Sequence, residues 1–195
     1  MDFAEHPSTW SRLRAQGVVS SESPGSGLHV DLDESTEVVA IDVAADDHPQ
    51  AATLDAAIRR VPRSEFGPIV EGMVHKLRLP ETAVIPVGRW RDVFEAVAGP
   101  MSVHPQWAEV DAAATVKLNT RDPLIFGPGN HHLLRDLVAA VATSGTRPAQ
   151  GISVVAIGVR LVVEVLPCGQ MIVLAGDEQL AHPVRAVIDH HSGRR

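Results

Sequence analysis

Between Leu124 and Val141 the chain passes from a short apolar run, Leu124-Ile125-Phe126, through Gly127-Pro128-Gly129-Asn130 and the pair His131-His132 into Leu133, Leu134, Leu137, Val138 and Val141. Apolar residues recurring at three- and four-residue spacing mark one helix face, and a glycine-proline turn ahead of them marks its start. The stretch therefore predicts strand, turn and helix in a single unit. Three segments, beginning near residues 28, 115 and 159, share the order strand, turn, strand, helix. That recurrence predicts an α+β fold: a mixed, mainly antiparallel sheet built from such units, with helices packed on one face.

The remaining chain is punctuated in the same way. Leu28, Val30 and Leu32 alternate with His29, Asp31 and Asp33, and a polar turn leads to Val38-Val39-Ala40-Ile41, which predicts a hairpin. Leu54, Ala57, Ile58 and Val61 have helical spacing between Pro49 and Pro62, as do Ile69, Val70, Met73, Val74 and Leu77 before Pro80. Ala83 to Val87 reads as a strand whose Pro86 places it at an edge or a strand end. Trp90, Val93, Phe94 and Val97 predict an amphipathic helix ending at Gly99-Pro100, followed by a short helix over 105–113. Thr115 to Leu118 and Leu124 to Phe126 read as strands around Asn119-Thr120-Arg121-Asp122. In the last unit, Ile152 to Leu166 pairs with Met171 to Leu174 across Pro167-Cys168-Gly169-Gln170, before a helix carrying Leu180, Val184, Val187 and Ile188.

At the N-terminus, Ser8 or Thr9 is suited to cap a short helix with Trp10 and Leu13 that ends at Gly17, and Ser20 to Gly27 reads as a flexible linker. The expected division is an N-terminal segment over 1–27 and one globular α+β domain over 28–195. His48 to Ala57 and His104 to Ala113 agree at seven of ten positions, but the similarity stops there, so no array of repeats is expected.

Composition narrows the function classes. The chain has 195 residues, 45% of them hydrophobic, enough for one sizeable core. Seventeen Lys and Arg against 24 Asp and Glu give a net charge of -7, which disfavours nucleic acid as a partner because phosphate binding relies on basic neutralisation. The basic groups Arg59-Arg60-Arg63, Lys76-Arg78 and Arg89-Arg91 read as solvated helix surface. Tyrosine is absent and tryptophan occurs three times, which leaves little for stacking bases or sugars. The single cysteine, Cys168, permits no intrachain disulfide and no cysteine-based zinc site. The N-terminus lacks a signal-peptide pattern and no apolar run approaches the ~20 residues of a membrane span, so no membrane partner and a cytoplasmic location are expected.

The chemistry concentrates at the Gly127 to His132 turn. Unpaired backbone N-H groups at a helix start attract anions, and glycines permit close approach. The expected ligand-binding set is Gly127, Gly129, Asn130, His131, His132, Asp122 and Arg121, with Arg135 as a further cation. The turn lacks the lysine of the nucleotide P-loop and the third glycine of the dinucleotide fingerprint. His131 and His132 point about 100° apart on a helix and are not expected to chelate one ion together. The alternative is that Asn130 caps the helix while one histidine packs and the other is solvated. No catalytic residue, metal set or cofactor is assigned.

Other features read as structural. His6, His48, His104 and His182 stand before prolines as punctuation. Asp31, Asp33, Glu34, Glu37, Asp42, Asp46 and Asp47 read as a solvated hairpin edge, and Asp189-His190-His191 as a frayed C-terminal end. Glu164 is expected to face solvent or to pair with Arg160. The expected function is a non-catalytic domain that associates with itself or another protein through an exposed face of the Ile152 to Leu174 hairpin. The alternatives at the turn are a small metal-assisted hydrolase, with His104, Asp42, Asp46 and Glu164 as further ligand candidates, and a binding module for a small anionic ligand.

Overall fold

Two strands, Thr82–Pro86 and Ile152–Ala156, are buried at every residue, so the sheet that holds them needs cover on both faces. In the computed structural model, which describes residues 1–23, 27–34, 37–48, 58–114 and 116–192, both covers are present. The N-terminal half forms β1 (Asp2–Phe3), α1 (His6–Ala15), β2 (Val18–Ser23), β3 (Gly27–Leu32), β4 (Val39–Ala45), β5 (Arg59–Val61), α2 (Phe66–Lys76), β6 (Thr82–Pro86) and α3 (Trp90–Met101). The remainder forms α4 (Pro105–Ala114), β7 (Leu124–Phe126), α5 (His131–Ser144), β8 (Ile152–Ala156), β9 (Leu161–Leu166), β10 (Gln170–Ala175) and α6 (Glu178–Ser192).

Among the described residues the main sheet has the order β1-β7-β6-β8-β9-β10-β4-β5, antiparallel throughout except for the parallel pair β4 and β5. The fold is α+β with a mixed, mainly antiparallel sheet, as its sequence pattern predicts. Alternation along each strand divides the core in two. Val84, Val154, Val163 and Val173 join the apolar stripes of α2, α3, α5 and α6 on one face. On the other face Ala83, Ile85, Val155 and Val162 meet Trp10 and Leu13 of α1 and Val18, Val30 and Leu32 of the β2-β3 hairpin.

Several elements depart from their sequence patterns for identifiable reasons. Ser20 to Ser23, read as linker, belong to β2, which pairs with β3 from Val18↔Leu32 to Ser23↔Gly27. Only Val18 of β2 is buried, so a solvent-facing strand carries a linker-like composition. Strand β3 therefore pairs backward with β2 and not with the Val38 to Ile41 run, and β4 joins the main sheet beside β10. The expected helix around Leu54 lies largely outside the described residues, as does the part of the His48 to Ala57 echo beyond His48; Arg59–Val61 is a strand. Residues 116–119 form a turn, and β7 pairs with β6 and β1.

Pro86 ends β6, as expected of one of its two readings, but β6 lies between β7 and β8 and is no edge. Helix α3 runs past Gly99-Pro100 to Met101, which is buried, and the turn is closed by the Ser102 hydroxyl donating to Gly99 O at 2.7 Å. Helix α1 starts at His6, so Ser8 and Thr9 fall inside it; Ser8 Oγ donates back to Glu5 O. Strands β8 to β10 lie inside the sheet, flanked by β6 and β4. Asp189-His190-His191 lies within α6, where Arg59 Nε donates to Asp189 and His191 Nδ1 lies 2.6 Å from Glu65. Glu164 pairs with His29 Nδ1 at 3.1 Å across the two sheets and not with Arg160, which precedes β9. No helix among the described residues is long and apolar enough to cross a membrane.

Helices α2 and α5 run antiparallel and very close: a Cβ on Gly67 would lie 2.4 Å from Arg135 O and 3.1 Å from Ala139 Cβ. Gly67→Ala must therefore push the helices apart. It is expected to lower unfolding stability by about 1–3 kcal/mol, the usual range for overpacking, read as a fall in the urea midpoint.

Candidate functional site

The turn that opens α5 is held differently from a ligand cradle. Gly127 has φ -96° and ψ 178°, extended backbone open to any residue, and a Cβ on Gly127 or Gly129 would meet nothing within 4 Å. The Asn130 side chain caps no helical N-H; its Oδ1 accepts a hydrogen bond from the N-terminal ammonium of Met1 at 3.1 Å. His131 is 5% exposed and packs edge-on against His75 of α2, with ring centroids 6.1 Å apart, while His132 is exposed. His131 Nε2 is buried without a hydrogen-bond partner. Arg135 is engaged by Asp136 at 2.8 Å and by Glu71 at 3.5 Å.

The other two residues of the expected set lie elsewhere. Asp122 accepts from Lys117 Nζ at 2.5 Å, and its backbone carbonyl accepts from Trp90 Nε1 at 2.7 Å. Arg121 donates from Nε to Gly88 O at 2.5 Å and from Nη1 to Glu22 Oε1 at 2.6 Å. Of the further ligand candidates, His104 lies 3.4 Å from Asp136, Glu164 pairs with His29, and Asp42 is exposed on β4. Among the described residues no three His, Cys, Asp or Glu side chains are grouped to hold a metal ion.

Arg121 points instead to a cleft of about 580 Å³ lined by Glu22, Ser23, Gly27, Gly88, Arg89, Asp92, Arg121 and Ala149. The cleft forms where the β2-β3 hairpin crosses the end of β6. Leu28 N donates to Val87 O at 2.7 Å, Val87 N to Gly151 O at 2.9 Å and Gly88 N to Ala149 O at 3.0 Å. Two glycines are required by this crossing. Gly27 has φ +95° and a Cβ there would lie 2.4 Å from Val87 O; a Cβ on Gly88 would lie 2.5 Å from Ala149 O. The backbone thus stitches hairpin, strand end and the 148–150 turn into one wall.

Helix α3 opens on this wall, yet its own N-H groups are largely spoken for. Trp90 N donates to Thr120 O, Arg91 N to Leu118 O and Asp92 N to Arg89 O, while the Asp92 carboxylate accepts from Arg89 N at 3.0 Å. Any pull on an anion therefore comes from the two guanidinium groups and not from the helix end. Arg121 is fixed by Gly88 O. Arg89 is exposed and forms no ion pair among the described residues. Together they act on Glu22: the hydrogen bond from Arg121, then its charge, hold the Glu22 carboxyl below its ordinary value against a small opposing effect of burial, and Arg89 adds to the pull.

Arg89, Glu22, Gly27 and Gly88 escape the sequence reading, which treats the first as helix surface and the second and third as linker. A local signal for part of the cleft exists all the same. Val87-Gly88-Arg89 stands between a strand and a helix in the same way as Phe126-Gly127-Pro128. No family model, curated protein or solved structure matches the chain.

His131 generates a pH prediction. Burial, and secondarily the neighbouring His75, lower its pKa below the ordinary 6.5, with Glu71 acting the other way. The unfolded chain then binds more protons than the folded one between the two values, so the stabilising contribution is complete above about pH 6.5 and is lost as pH falls through the folded-state value. Urea midpoints are expected to fall between pH 7.5 and pH 5.5 in the wild type, and to fall less in His131→Phe.

Proposed function

We propose that this chain is a non-catalytic domain that binds a small anionic ligand in the cleft between the β2-β3 hairpin and the start of α3. The observation that carries the reading is the presence of two guanidinium groups on one open cleft, Arg121 anchored by a backbone carbonyl and Arg89 free of ion-pair partners among the described residues. A volume of about 580 Å³ falls within the range of small-molecule sites, about 300–1,000 Å³. Ser23, Gly27 and Ala149 add uncharged lining beside the charges.

The test is thermal unfolding of the full chain against inorganic phosphate, simple carboxylates and divalent metal salts. A ligand at ~100 times its dissociation constant stabilises by about 2.7 kcal/mol. Anions are expected to raise the midpoint in the wild type and in His131→Ala, and to lose that effect in Arg89→Ala. An anion shift that survives in Arg89→Ala removes the cleft as the site.

A second reading, association with a further copy or another protein, is favoured by the incomplete cover on the hairpin side of the sheet. Ala40 and Asp42 of β4 are exposed there, and Gln170, Ile172 and Leu174 of β10 are half-buried. Against it, Val19, Val103 and Val116 are the exposed large apolar side chains among the described residues, which makes for little apolar patch. Sedimentation at high protein concentration tests self-association: a mass above monomer that falls to monomer in Ile172→Glu supports it, and a monomer in both proteins removes it.

A further inference from the structure

We infer that the cleft takes a dicarboxylate, and that Glu22 is its internal competitor, a carboxylate of the chain itself that occupies the ligand's place on Arg121 until the ligand displaces it. The inference rests on the reading of the cleft as an anion site and goes further by naming the ligand class and the group that leaves. Arg121 Nη1 donates to Glu22 Oε1 at 2.6 Å, so a carboxylate already sits where the cleft presents a charged donor. The two partners differ in how firmly they are held. The Arg121 side chain is 25% exposed and tied through Nε to Gly88 O, whereas the Glu22 side chain is 66% exposed.

Glu22 is thus the member free to leave. An exposed ion pair is weak, because solvent screens it and two side chains lose freedom to hold it. Replacing one carboxylate by another conserves the charge-assisted hydrogen bond on Arg121 and returns Glu22 to water. The gain comes from the second carboxylate of the ligand, which meets Arg89. Asp92 does not compete for either cation in this way, since its carboxylate is turned to the Arg89 backbone N-H. With Glu22 swung out, each guanidinium group is open to one carboxylate, Arg121 in place of Glu22 and Arg89 beside it on the same cleft, so a ligand with two carboxylates meets both and a monocarboxylate meets one.

The experiment is calorimetric titration of the full chain with succinate, and separately with inorganic phosphate, at fixed ionic strength, for the wild type, Glu22→Gln and Arg89→Ala. Succinate is expected to bind the wild type, to bind Glu22→Gln roughly two- to five-fold more tightly, the range set by losing one exposed ion pair, and to bind Arg89→Ala more weakly than the wild type. Tighter binding on neutralising a side chain is a result that a purely structural role for Glu22 would not give. Equal affinity in Glu22→Gln and wild type, with weakening in Arg89→Ala, overturns the competitor and leaves the cleft as an anion site. Phosphate binding without succinate binding overturns the dicarboxylate class. No heat with either probe, in the wild type or in Glu22→Gln, overturns both this inference and the proposed function.

Discussion

The continuous burial of β6 and β8 is the constraint on which the rest of the molecule depends. A strand buried at every position cannot leave one sheet face to solvent, so the chain must supply two covers from a limited number of elements. Side chains of α2, α3, α4, α5 and α6 fill the core on one face. The other receives α1 and a two-stranded hairpin, and the hairpin crosses the end of β6, where Leu28 N donates to Val87 O. The cleft is a by-product of that crossing. Where a hairpin lies over a strand end and a helix starts immediately after it, side chains from three distant segments, Glu22, Arg89 and Arg121, face one space.

The helix side of this arrangement is legible in the sequence. The stripes of α2, α3, α5 and α6 are buried where their spacing puts them, because a helix face is read from residues within one turn of each other. The hairpin side is legible in part: the alternation of Leu28, Val30 and Leu32 marks β3, and Trp10 and Leu13 mark α1, but β2 leaves no such mark. Strand β2 reads Val-Val-Ser-Ser-Glu-Ser, with one buried residue, and its identity as a strand depends on backbone pairing with β3 that leaves no period in the side chains. Strand β5 is hidden for a related reason: Val61 is buried by parallel pairing beside β4, and its spacing from Leu54 and Ile58 mimics a helix. The interior position of β10 is likewise set by β4 arriving from more than a hundred residues away.

The candidate site divides along the same line. Residue type makes Arg121 a candidate cation for an anion, and sequence proximity assigns it to the nearby Gly127 to His132 turn. Its Nε bond to Gly88 O and its pairing with Glu22 draw it to a different wall. Sequence neighbours at the turn are dispersed in turn: Asn130 to the N-terminus, His131 into the α2-α5 interface, Asp122 to Lys117. The glycines mislead because the visible pair, Gly127 and Gly129, stands in open space. Gly27 and Gly88, which a Cβ would drive into backbone, carry no conspicuous motif.

His131 and Glu22 show opposite ways of holding a polar group, and the contrast bears on where function resides. His131 Nε2 is sealed between two helices without a partner, as are Thr82 Oγ1 and Ser153 Oγ within the sheet. Such groups cost stability and are screened from any ligand by the packing that buries them. Glu22 and Arg121 are paired in the open, where both line the cleft, with one partner anchored and the other loose. An interaction that exchanges readily with solvent can also exchange with a ligand. The chemistry most available for recognition is therefore the weak surface pair, and the buried orphan atoms are better understood as the cost of closing a core over β6, β8 and α5.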